Sequence, residues 1–596
     1  MKNPFIYFCL ALLCLTACNP PKPASWQNRE MSMANLQEQF ANPSKEYRPA
    51  PLWVWNTNMT EEDIDRMLQD FKDQGFGGAF VHPRPGLETE YLSDEWFRLW
   101  RYSVEKGKEL GLDIWIYDEN SYPSGFAGGH VPNEMPESYN QGQALLGQRV
   151  TTLPENTEDI YLCLEKEGET FTNITDKLEE YKYKGKESTY YIYRKGVNAA
   201  SNWTAGFPYV DITAPGVTEK FIEITMKGYE KEFGEELGTV VKGIFTDEPQ
   251  IASTFGGHCR WTPLLFDKFQ EMWGYDLRTS WPLLGEKTGN WQKVRHDYNA
   301  TLLRLFIERW SMPWHKYTEE HGLKWTGHYW EHGWPSLNDG PDNMAMYAWH
   351  QQPSIDMLFN NYNDNNPRAQ FGNVRSVKEL RSVANQMGYV RTLSETYGGA
   401  GWDARFLDFK RLGDWEYALG VNFMNQHLCH ATITGVRKYD YPPEFTRISP
   451  WWEDYGHLND YFSRLSLVLS QGEQMCDWLI LEPTTSLWLY GASCFETSEQ
   501  NEIGQKFQDF ITHLEKRQME YDLGCEDIMM RNGNASKGGL RIGCRNYHHV
   551  ILPPGTENLE NSTFLLLKKF VQSGGKLYAL QSPTLWSRFA LLGNRI

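Results

Sequence analysis

The sequence predicts an α/β protein whose main part is a (β/α)8 barrel, a fold in which eight parallel strands close on themselves. From about residue 50, short apolar runs alternate with longer stretches of helical, polar pattern. The runs are apolar throughout, as expected for parallel strands that are buried on both faces. Eight such runs can be counted along the chain. A doubly wound open sheet is the alternative, but no glycine-rich phosphate loop follows the first run.

The elements of the predicted barrel can be assigned in order. The eight strands are predicted in PLWVWN (51–56), GGAFVHP (77–83), LDIWIYDEN (112–120), VVKGIFTDEP (240–249), LKWTGHYWE (323–331), DMLFNNYN (356–363), YVRTLSETYGG (389–399) and GVNFMNQHLCH (420–430). The sixth run is the least distinct of them. The first helix is predicted to begin after Thr60, a good N-cap with Asp63 three residues further on. The second helix is predicted in WFRLWRYSVEKGKELG, between the second and third strands.

Two further regions interrupt or follow this pattern. Between about 140 and 205 the chain changes to alternating segments such as TEDIYLCLEKEG and STYYIYRK, which predict a small β insertion after the third strand. After about 475 the strand–helix alternation restarts with CDWLILEP, followed by HHVILPPG and GGKLYALQ. This indicates a flavodoxin-like α/β unit. We therefore expect a barrel domain over 49–475, with its insertion, and a second domain over 476–596 that stops incomplete at Ile596.

The amino terminus reads as a processing signal. Residues 1–17 contain the apolar run FIYFCLALLCL, which is too short to span a bilayer. The sequence LTAC, from Leu15 to Cys18, resembles a bacterial lipobox, which implies cleavage before Cys18 and a lipid on its thiol. An ordinary signal peptide with a chance cysteine is the alternative. Residues 18–48 would then form a tether, and we expect a lipid-anchored protein of the cell envelope, on the periplasmic side.

Composition excludes some partners. The chain has 77 Asp and Glu against 58 Lys and Arg, a balance that argues against nucleic acid or an anionic membrane surface as a partner. The membrane would be reached only through the N-terminal lipid. Aromatic residues make up 14% of the chain, which fits either a large core or sugar binding. The cysteines are widely spaced with no CxxC, so they predict neither a disulfide framework nor a structural zinc site.

Polar side chains that can do chemistry follow the predicted strands. Because the carboxyl ends of barrel strands face the active site, we expect these side chains to lie together. The candidates are His82, Asp118, Glu119, Asp247, Glu248, His328, Glu331, Glu395, Tyr397, Trp402, Asp403, Asn425 and His427. Several come directly after apolar runs, which is hard to explain as solvated surface.

Two of these carboxylates are enough for glycoside hydrolysis, in which one acid protonates the leaving oxygen and the other attacks or activates water. Glu248 follows the fourth strand and Glu395 the seventh, across the barrel mouth. We predict that Glu248 is the proton donor, with a pKa raised by Asp247, and that Glu395 is the second catalytic carboxylate. The alternative is that Asp247 and Glu248 cap the next segment or pair with an arginine.

A resemblance to a known family adds to this interpretation. The run YLSDEWF…YDENSYPSGFAGG, with FTDEP, SETYGGAGW and LSLVLSQGEQMCDWLIL, resembles the family 106 glycoside hydrolases, the α-L-rhamnosidase-like enzymes, over about residues 50–490. The resemblance implies a (β/α)8 barrel, exo-acting removal of a terminal, rhamnose-like sugar from a plant or bacterial polysaccharide, and two catalytic glutamates. It also implies inversion and, in some members, a calcium ion beside the sugar.

The resemblance is not complete. At the fourth strand this chain reads Thr246-Asp247-Glu248-Pro249 rather than a carboxylate separated from an Asp-Ser pair. The sugar, the stereochemistry and the calcium therefore stay open, and a sister family is an alternative. Placement of two glutamates after the fourth and seventh strands is also found in many retaining barrel enzymes. The sequence itself requires no cofactor, and calcium is implied only by the family resemblance.

Two rival functions fit parts of the sequence. GHYWEHGWP contains His328-x-x-Glu331-His332, the pattern of an inverted zinc protease. The glycines and proline around it disfavour the helix that such chemistry requires. A lipid-anchored glycan-binding protein with a degenerate barrel would use the same aromatic residues without catalysis. The pair Glu248 and Glu395 favours the enzyme, because a binding module needs no two facing acids.

Overall fold

The computed structural model describes residues 31–184, 187–492 and 495–580. The signal peptide and the lipidated Cys18 predicted from the sequence lie outside these residues. None of the helices in the described ranges combines the length and the apolar character that crossing a membrane requires. The six cysteines described are all free thiols, as the spacing of the cysteines indicates.

Seven of the eight predicted runs contain a strand, and the sixth, 356–363, overlaps its strand only at Asp356 and Met357; the paired strands are parallel. They are β1 (Leu52–Trp55), β2 (Gly78–Pro83), β3 (Asp113–Tyr117), β8 (Val241–Asp247), β9 (Lys324–His328), β10 (Ser354–Met357), β11 (Leu393–Thr396) and β12 (Phe423–Gln426), with the short β13 (Cys429–His430) after the last. One sheet has the order β13-β1-β2-β3-β8-β9 and a second the order β10-β11-β12.

The two sheets meet at both of their edges. The Gln352 amide donates to the Trp325 carbonyl at 3.0 Å, which joins β9 to the residues before β10. The Ala50 amide donates to the Met424 carbonyl at 3.1 Å, which joins the residues before β1 to β12. Side chains that alternate along the strands fill two separate cores: Leu52, Val54, Phe80 and Phe245 belong to one, and Trp53, Trp55, Val81 and Ile244 to the other. The strands are therefore buried on both faces.

Helices separate most of these strands. In chain order they are α1 (Met33–Ala41), α2 (Glu61–Asp73), α3 (Asp94–Leu110), α4 (His130–Glu134), α5 (Glu137–Asn140), α6 (Leu178–Lys184), α7 (Val217–Phe233), α8 (Leu265–Trp273), α9 (Leu277–Ser280), α10 (Trp291–Phe306), α11 (Met312–Glu320), α12 (Asn343–Tyr347), α13 (Val374–Met387), α14 (Phe406–Leu419) and α15 (Tyr455–Leu469). Thr60 caps α2 as the sequence predicts, since its hydroxyl accepts from the Asp63 amide at 3.2 Å.

The segment predicted to be a β insertion holds an antiparallel sheet of four strands. They are β4 (Ala144–Val150), β5 (Leu162–Glu167), β6 (Thr170–Asn173) and β7 (Thr189–Gly196), in the order β4-β7-β5-β6. A backbone hydrogen bond of 3.2 Å from Leu145 to Cys259 ties this sheet to the chain that follows β8. The insertion therefore packs beside the carboxyl end of β8.

The chain after residue 475 forms a second, smaller parallel sheet. It is built from β14 (Trp478–Leu481), β15 (Asp522–Gly524), β19 (His549–Leu552) and β20 (Lys576–Ala579), in the order β15-β14-β19-β20. Its helices are α16 (Thr484–Trp488), α17 (Ser498–Glu515), α18 (Glu526–Asn532) and α19 (Asn561–Gln572). A three-stranded antiparallel sheet of β16 (Gly533–Ser536), β17 (Gly539–Ile542) and β18 (Arg545–Tyr547) lies between β15 and β19 in the chain.

Helix α13 is shared between the two parts of the molecule. Every residue of it except Arg381 is buried. The Asn385 amide donates to the Asp522 carboxylate at 2.8 Å, and the Gln386 amide donates to the Leu523 carbonyl at 2.8 Å. One face of α13 thus packs on the eight-stranded part while its polar residues hydrogen-bond to β15.

Candidate active site

His328, the last residue of β9, lies at the centre of a buried group of acids at the carboxyl ends of the strands. Its Nε2 is 3.3 Å from Asp247 Oδ1, and its Nδ1 is 3.9 Å from Glu395 Oε2. On the other side of Glu395, Oε1 is 3.5 Å from Nε2 of His427. The structure therefore brings together four of the residues selected from the sequence. They come from β8, β9, β11 and the turn after β12.

Asp247 and His328 form a charged pair. Burial alone would raise the pKa of Asp247, but the hydrogen bond and charge of His328, helped by the Tyr117 hydroxyl and Arg84, lower it. Burial alone would lower the pKa of His328, but Asp247 and Glu395 raise it well above its ordinary value. Each partner therefore keeps the other ionised. Asp247 pairs with a histidine, not with an arginine as the alternative interpretation of its sequence had it.

Glu248 occupies a strained position directly after β8. Its φ of 44° lies in the left-handed region, which costs a non-glycine residue on the order of 1 kcal/mol. Its amide donates to the His328 carbonyl at 3.2 Å, which holds this conformation. Burial, followed by the neighbouring charge of Asp247, raises the pKa of the Glu248 carboxyl well above its usual range, while the Tyr122 hydroxyl binds it. Glu248 is thus a buried acid whose protonated form is favoured.

Glu395, on β11, is also buried, at 4% exposure. Burial raises its pKa to about 8, opposed by the charge of His328 and assisted by that of Asp247. The site therefore contains one ionised carboxylate, Asp247, and two carboxyls whose pKa values are raised. Raised and lowered carboxyl pKa values side by side are typical of sites that perform acid–base chemistry.

Asp356 belongs to this group and was not selected from the sequence. It lies beside Glu395 in the β10–β11 register, and burial and the charge of Glu395 raise its pKa well above the ordinary value. Its Oδ1 is buried with no hydrogen-bond partner among the described residues. The sequence signal was an acid, Asp356, within the apolar run DMLF. It was missed because this run was the least distinct of the predicted strands.

Several predicted substrate ligands are already engaged in structural contacts. Glu119 accepts hydrogen bonds from the amides of Asn120, Gly125, Phe126, Ala127 and Gly128, so it shapes the loop after β3. Glu331 accepts from the Asp356 amide at 2.5 Å and the Tyr347 hydroxyl at 2.7 Å. Tyr397 donates to the Phe409 carbonyl at 2.9 Å within an aromatic cluster. These contacts give each of the three residues a structural role, and their contact with substrate stays a prediction.

Of the remaining predicted ligands, Asp118 and Asn425 are buried, and Trp402 and Asp403 are exposed. Asp118 accepts from the Ser124 hydroxyl at 2.5 Å, and Ser124 in turn accepts from the Asp247 amide at 2.8 Å, so Asp118 supports the acidic centre. The Asn425 amide donates to the Ala50 carbonyl at 2.7 Å and so links β12 to β1. Trp402 and Asp403 lie on the exposed surface, where the Trp402 indole donates to the Lys438 carbonyl at 3.1 Å.

Arg84 is a second residue that sequence reasoning missed. Its guanidinium forms a bidentate pair with Asp440, at 2.6 and 2.8 Å, and its Nη1 is 2.8 Å from Nε2 of His82. Burial and the Arg84 charge lower the pKa of His82 well below its ordinary value. Burial and the same arginine lower the pKa of His427 to about 3. The neutral form of both histidines is therefore favoured, whereas the raised pKa values of His328 and of His430, which lies beside Glu444 and Asp440, favour their cationic forms.

Exposed aromatic rings stand beside this centre. Trp203, from the segment that follows the insertion, is 41% exposed and packs edge-on against Tyr122, with ring centroids 5.9 Å apart. Arg84 lies over the same indole, 5.7 Å from its centroid. Since the Tyr122 hydroxyl binds the Glu248 carboxyl, Trp203 lies on the Glu248 side of the acidic centre.

Calcium can be tested against the residues present. One group of possible metal ligands is found among the described residues: Glu248, His332 and Asp356, whose ligand atoms all lie within 4.8 Å of one another. Calcium binds six to eight oxygen ligands, whereas this group offers an imidazole nitrogen and two carboxyls with raised pKa values. The group does not fit calcium. The zinc-protease pattern also fails, because His328 ends a strand and Glu331–Gly333 form one short 3-10 turn.

Comparison with known proteins gives first a class and then a family. A rhamnosidase from Novosphingobium sp. PP1Y has a similar fold, with a TM-score of 0.67 and 16% identity over 94% of this chain and 70% of that one. A cold-adapted β-galactosidase from Rahnella sp. R3 follows, with a TM-score of 0.53 and 11% identity over 89% of this chain and 71% of that one. The fold is therefore one that glycoside hydrolases use.

The family follows from a sequence model. The glycoside hydrolase family 106 model, described as alpha-L-rhamnosidase, matches residues 194–585, which is more than half of the chain. The chain belongs to this family, which confirms the resemblance seen in its motifs. A curated protein of Formosa agariphila, provisionally named a beta-glucuronidase, is 21% identical over 92% of this chain. The chain spans about half the length of that relative, 50% of it.

Proposed function

We propose that the protein is an exo-acting glycoside hydrolase that removes a terminal, rhamnose-like sugar by acid–base catalysis with two carboxyl groups. Glu248 is the proton donor and Glu395 the second catalytic carboxylate. The observation that carries this proposal is the burial of both glutamates around one ion pair, that of Asp247 with His328. A non-catalytic glycan-binding protein would gain nothing from keeping buried acids in such a costly arrangement.

The two glutamates have different neighbours, which supports different roles. Glu248 follows the ionised Asp247 in the chain, and that negative charge favours the protonated form that an acid catalyst needs. Glu395 lies between His328 and His427, and the positive charge of His328 favours its ionised form. Glu395 can then act as a base towards water or as a nucleophile. Trp203, beside Tyr122, offers a flat apolar surface to the leaving group.

The charges of the site favour a neutral sugar over a uronic acid. A uronate carboxylate needs a cation that is not already neutralised. Arg84 is bidentate with Asp440, and His328 is paired with Asp247. The surrounding groups Glu248, Asp356 and Glu395 would repel a further negative charge when ionised. This supports a rhamnose-like substrate rather than the glucuronide in the name of the Formosa relative.

We further propose that the eight parallel strands form a closed (β/α)8 barrel over 49–475. The hydrogen bonds from Gln352 to Trp325 and from Ala50 to Met424 support closure at the two places where the sheets meet. The order β15-β14-β19-β20 supports a flavodoxin-like second domain over 476–596, since it matches the 2-1-3-4 order of that fold.

We also propose that the protein is anchored in the bacterial cell envelope by a lipid on Cys18, because the LTAC sequence fits a lipobox. The variant Cys18→Ala should then leave the membrane fraction or remain unprocessed. Unchanged membrane association of that variant would exclude the lipid anchor.

The test of the catalytic proposal is Glu248→Gln, with exposed Glu453→Gln as the matched control. The amide keeps the shape of the side chain and loses the proton, so kcat on a glycoside with a poor leaving group should fall by about 10²–10⁴-fold with little change in KM. An activated aryl rhamnoside, whose leaving group needs less protonation, should lose less. Equal activity of both variants on the poor leaving group would remove Glu248 from this role.

Stereochemistry is tested on the same substrates. The family favours inversion, and proton NMR of the first-formed sugar distinguishes the two outcomes. An anomeric configuration retained from the substrate would make Glu395 a nucleophile instead of a base.

A further inference from the structure

A large cavity lies at the amino ends of the parallel strands, on the side of the sheet away from the acidic centre. Its volume is about 520 Å³, within the range of small-molecule sites. Residues at the beginnings of the strands line it, namely Ala50, Gly78, Asp113, Lys242, Gln352, Arg391 and Phe423. Residues from the chain before β1, including Lys45, Tyr47 and Arg48, complete the lining.

Two buried nitrogen donors of this cavity lack partners. Arg391 Nη1 donates to the Ser470 hydroxyl at 2.9 Å, but its Nη2 is buried with no hydrogen-bond partner among the described residues. The Gln352 side chain is 5% exposed, and its Nε2 likewise has no partner in the described part of the chain. A buried donor without an acceptor destabilises the protein, and more so when it carries charge. The cavity thus contains two costly groups that a ligand could satisfy.

The charge of the lining is unbalanced. Of its four cations, Lys45 pairs with Asp113 at 2.6 Å and Arg48 pairs with Asp460 at 3.0 Å. Within the described ranges, Lys242 and Arg391 have no carboxylate within 4 Å. The four cations face two carboxylates in the lining, Asp113 and Glu46, so the lining keeps an excess of positive charge, and Lys242 and Arg391 face the cavity outside any ion pair of the described residues.

Aromatic rings hold the guanidinium in place. Arg391 lies over the Phe423 ring, 5.0 Å from its centroid, and 5.7 Å from that of Tyr47. Trp115, which also lines the cavity, adds a further flat surface. Stacking fixes the plane of the guanidinium, so its free edge has a defined direction.

We propose that this cavity is a binding site for a small oxyanion, a carboxylate, phosphate or sulfate, held by Arg391 Nη2, Gln352 Nε2 and the Lys242 ammonium. The aromatic rings of Phe423 and Trp115 would pack against the carbon skeleton of the ligand. The site is separate from the acidic centre at the opposite strand ends, and it does not depend on the glycosidase proposal.

The test uses isothermal titration calorimetry and thermal unfolding of the whole protein with four probes: inorganic phosphate, sulfate, galacturonate and neutral galactose. Arg391→Met keeps an apolar stem against Phe423 and removes the charge. Arg411→Met is the matched control, because Arg411 also lies over aromatic rings, Tyr362 and Phe371, but is exposed and outside the cavity.

We expect at least one anion, but not galactose, to bind the wild type and the Arg411 variant equally, and the Arg391 variant at least tenfold more weakly. Binding of galacturonate alone would identify a carboxylated ligand, and binding of phosphate or sulfate a simple oxyanion. If Arg391→Met does not fold, Lys242→Ala and Gln352→Leu make the same comparison. Equal anion effects on all variants would reflect general salt stabilisation and would overturn the proposal, as would absence of binding.

Discussion

His328 decides the electrostatics of the candidate active site. It is 1% exposed, and Asp247 and Glu395 raise its pKa, while burial and Arg84 lower the pKa values of His82 and His427. This buried cation faces two carboxyls, Asp247 and Glu395. Its charge offsets part of the cost of burying those acids, and it favours the ionised state of Glu395.

Replacing His328 should therefore move the pH dependence of catalysis. In the proposed mechanism Glu395 acts in its ionised form. Because its pKa is raised to about 8, activity should rise as the pH rises through that value. In His328→Gln the cation that lowers this pKa is lost, so the pKa rises further. The acidic limb of kcat/KM against pH should shift upwards by about 1 unit or more.

The matched control is His321→Gln, since His321 lies in the turn between a helix and β9, away from the buried acids of the candidate active site. Its profile should coincide with that of the wild type. A His328→Gln profile that keeps its acidic limb, or moves it to lower pH, would contradict the assigned role of this histidine.

At the scale of elements, α10 is joined to the start of α19 by a buried histidine. His296 Nδ1 is 3.0 Å from Asp297, and its Nε2 is 2.7 Å from Glu560, the residue that precedes α19. Burial would lower the pKa of His296, but Glu560 and Asp297 raise it to about 10. This ion pair connects a helix of the eight-stranded part with one of the second sheet.

The raised pKa of His296 predicts a pH-dependent stability. Because the folded-state pKa of about 10 exceeds the unfolded value, the contribution is fully present below about pH 6.5 and is lost as the pH rises through 10. His296→Gln should lower the free energy of unfolding by roughly 3 kcal/mol at pH 6 and by clearly less near pH 10. Urea unfolding followed by tryptophan fluorescence measures both values. A deficit of the same size at both pH values would show that packing, not charge, is what the histidine supplies.

At the scale of the whole molecule, α13 makes the two sheets depend on each other. Its residue Lys378, 2% exposed, pairs with Glu515 of α17 at 3.1 Å, and Asn385 binds Asp522 of β15. If either part unfolded, the polar residues of α13 that bind it would lose their hydrogen-bond and ion-pair partners. We therefore expect the two parts to unfold together.

Asn385→Leu tests this coupling. The substitution removes a buried hydrogen bond to Asp522, so it should cost roughly 2 kcal/mol. Differential scanning calorimetry should show one transition, moved as a whole to lower temperature. Exposed Lys410→Met on α14 should leave it in place. Two separate transitions, with only one displaced by Asn385→Leu, would show that the sheets unfold independently.

Elements were easier to predict from this sequence than the roles of single residues. The strands of a parallel sheet are buried on both faces and are therefore apolar throughout. The eight runs and their order could for this reason be found without tertiary information. The strand ends in turn pointed to Asp247, Glu248, His328, Glu395 and His427, because chain connectivity alone places them at one edge. Glu119, Glu331 and Tyr397 follow strands in the same way, yet their polar atoms hydrogen-bond to other parts of the fold.

What the sequence by itself determined is thus local: the alternation of strands and helices, the cap at Thr60, the β insertion and the edge at which the acids collect. Only the tertiary structure decided which acids share a cation, because Arg84, Asp356 and Asp440 reach the site from distant parts of the chain. It also decided that the pKa of Glu395 rises while that of Asp247 falls, whereas the raised pKa of Glu248 was predicted from its chain neighbour Asp247. The physical reason is that burial and the positions of neighbouring charges set a pKa, and both arise only when the strands assemble.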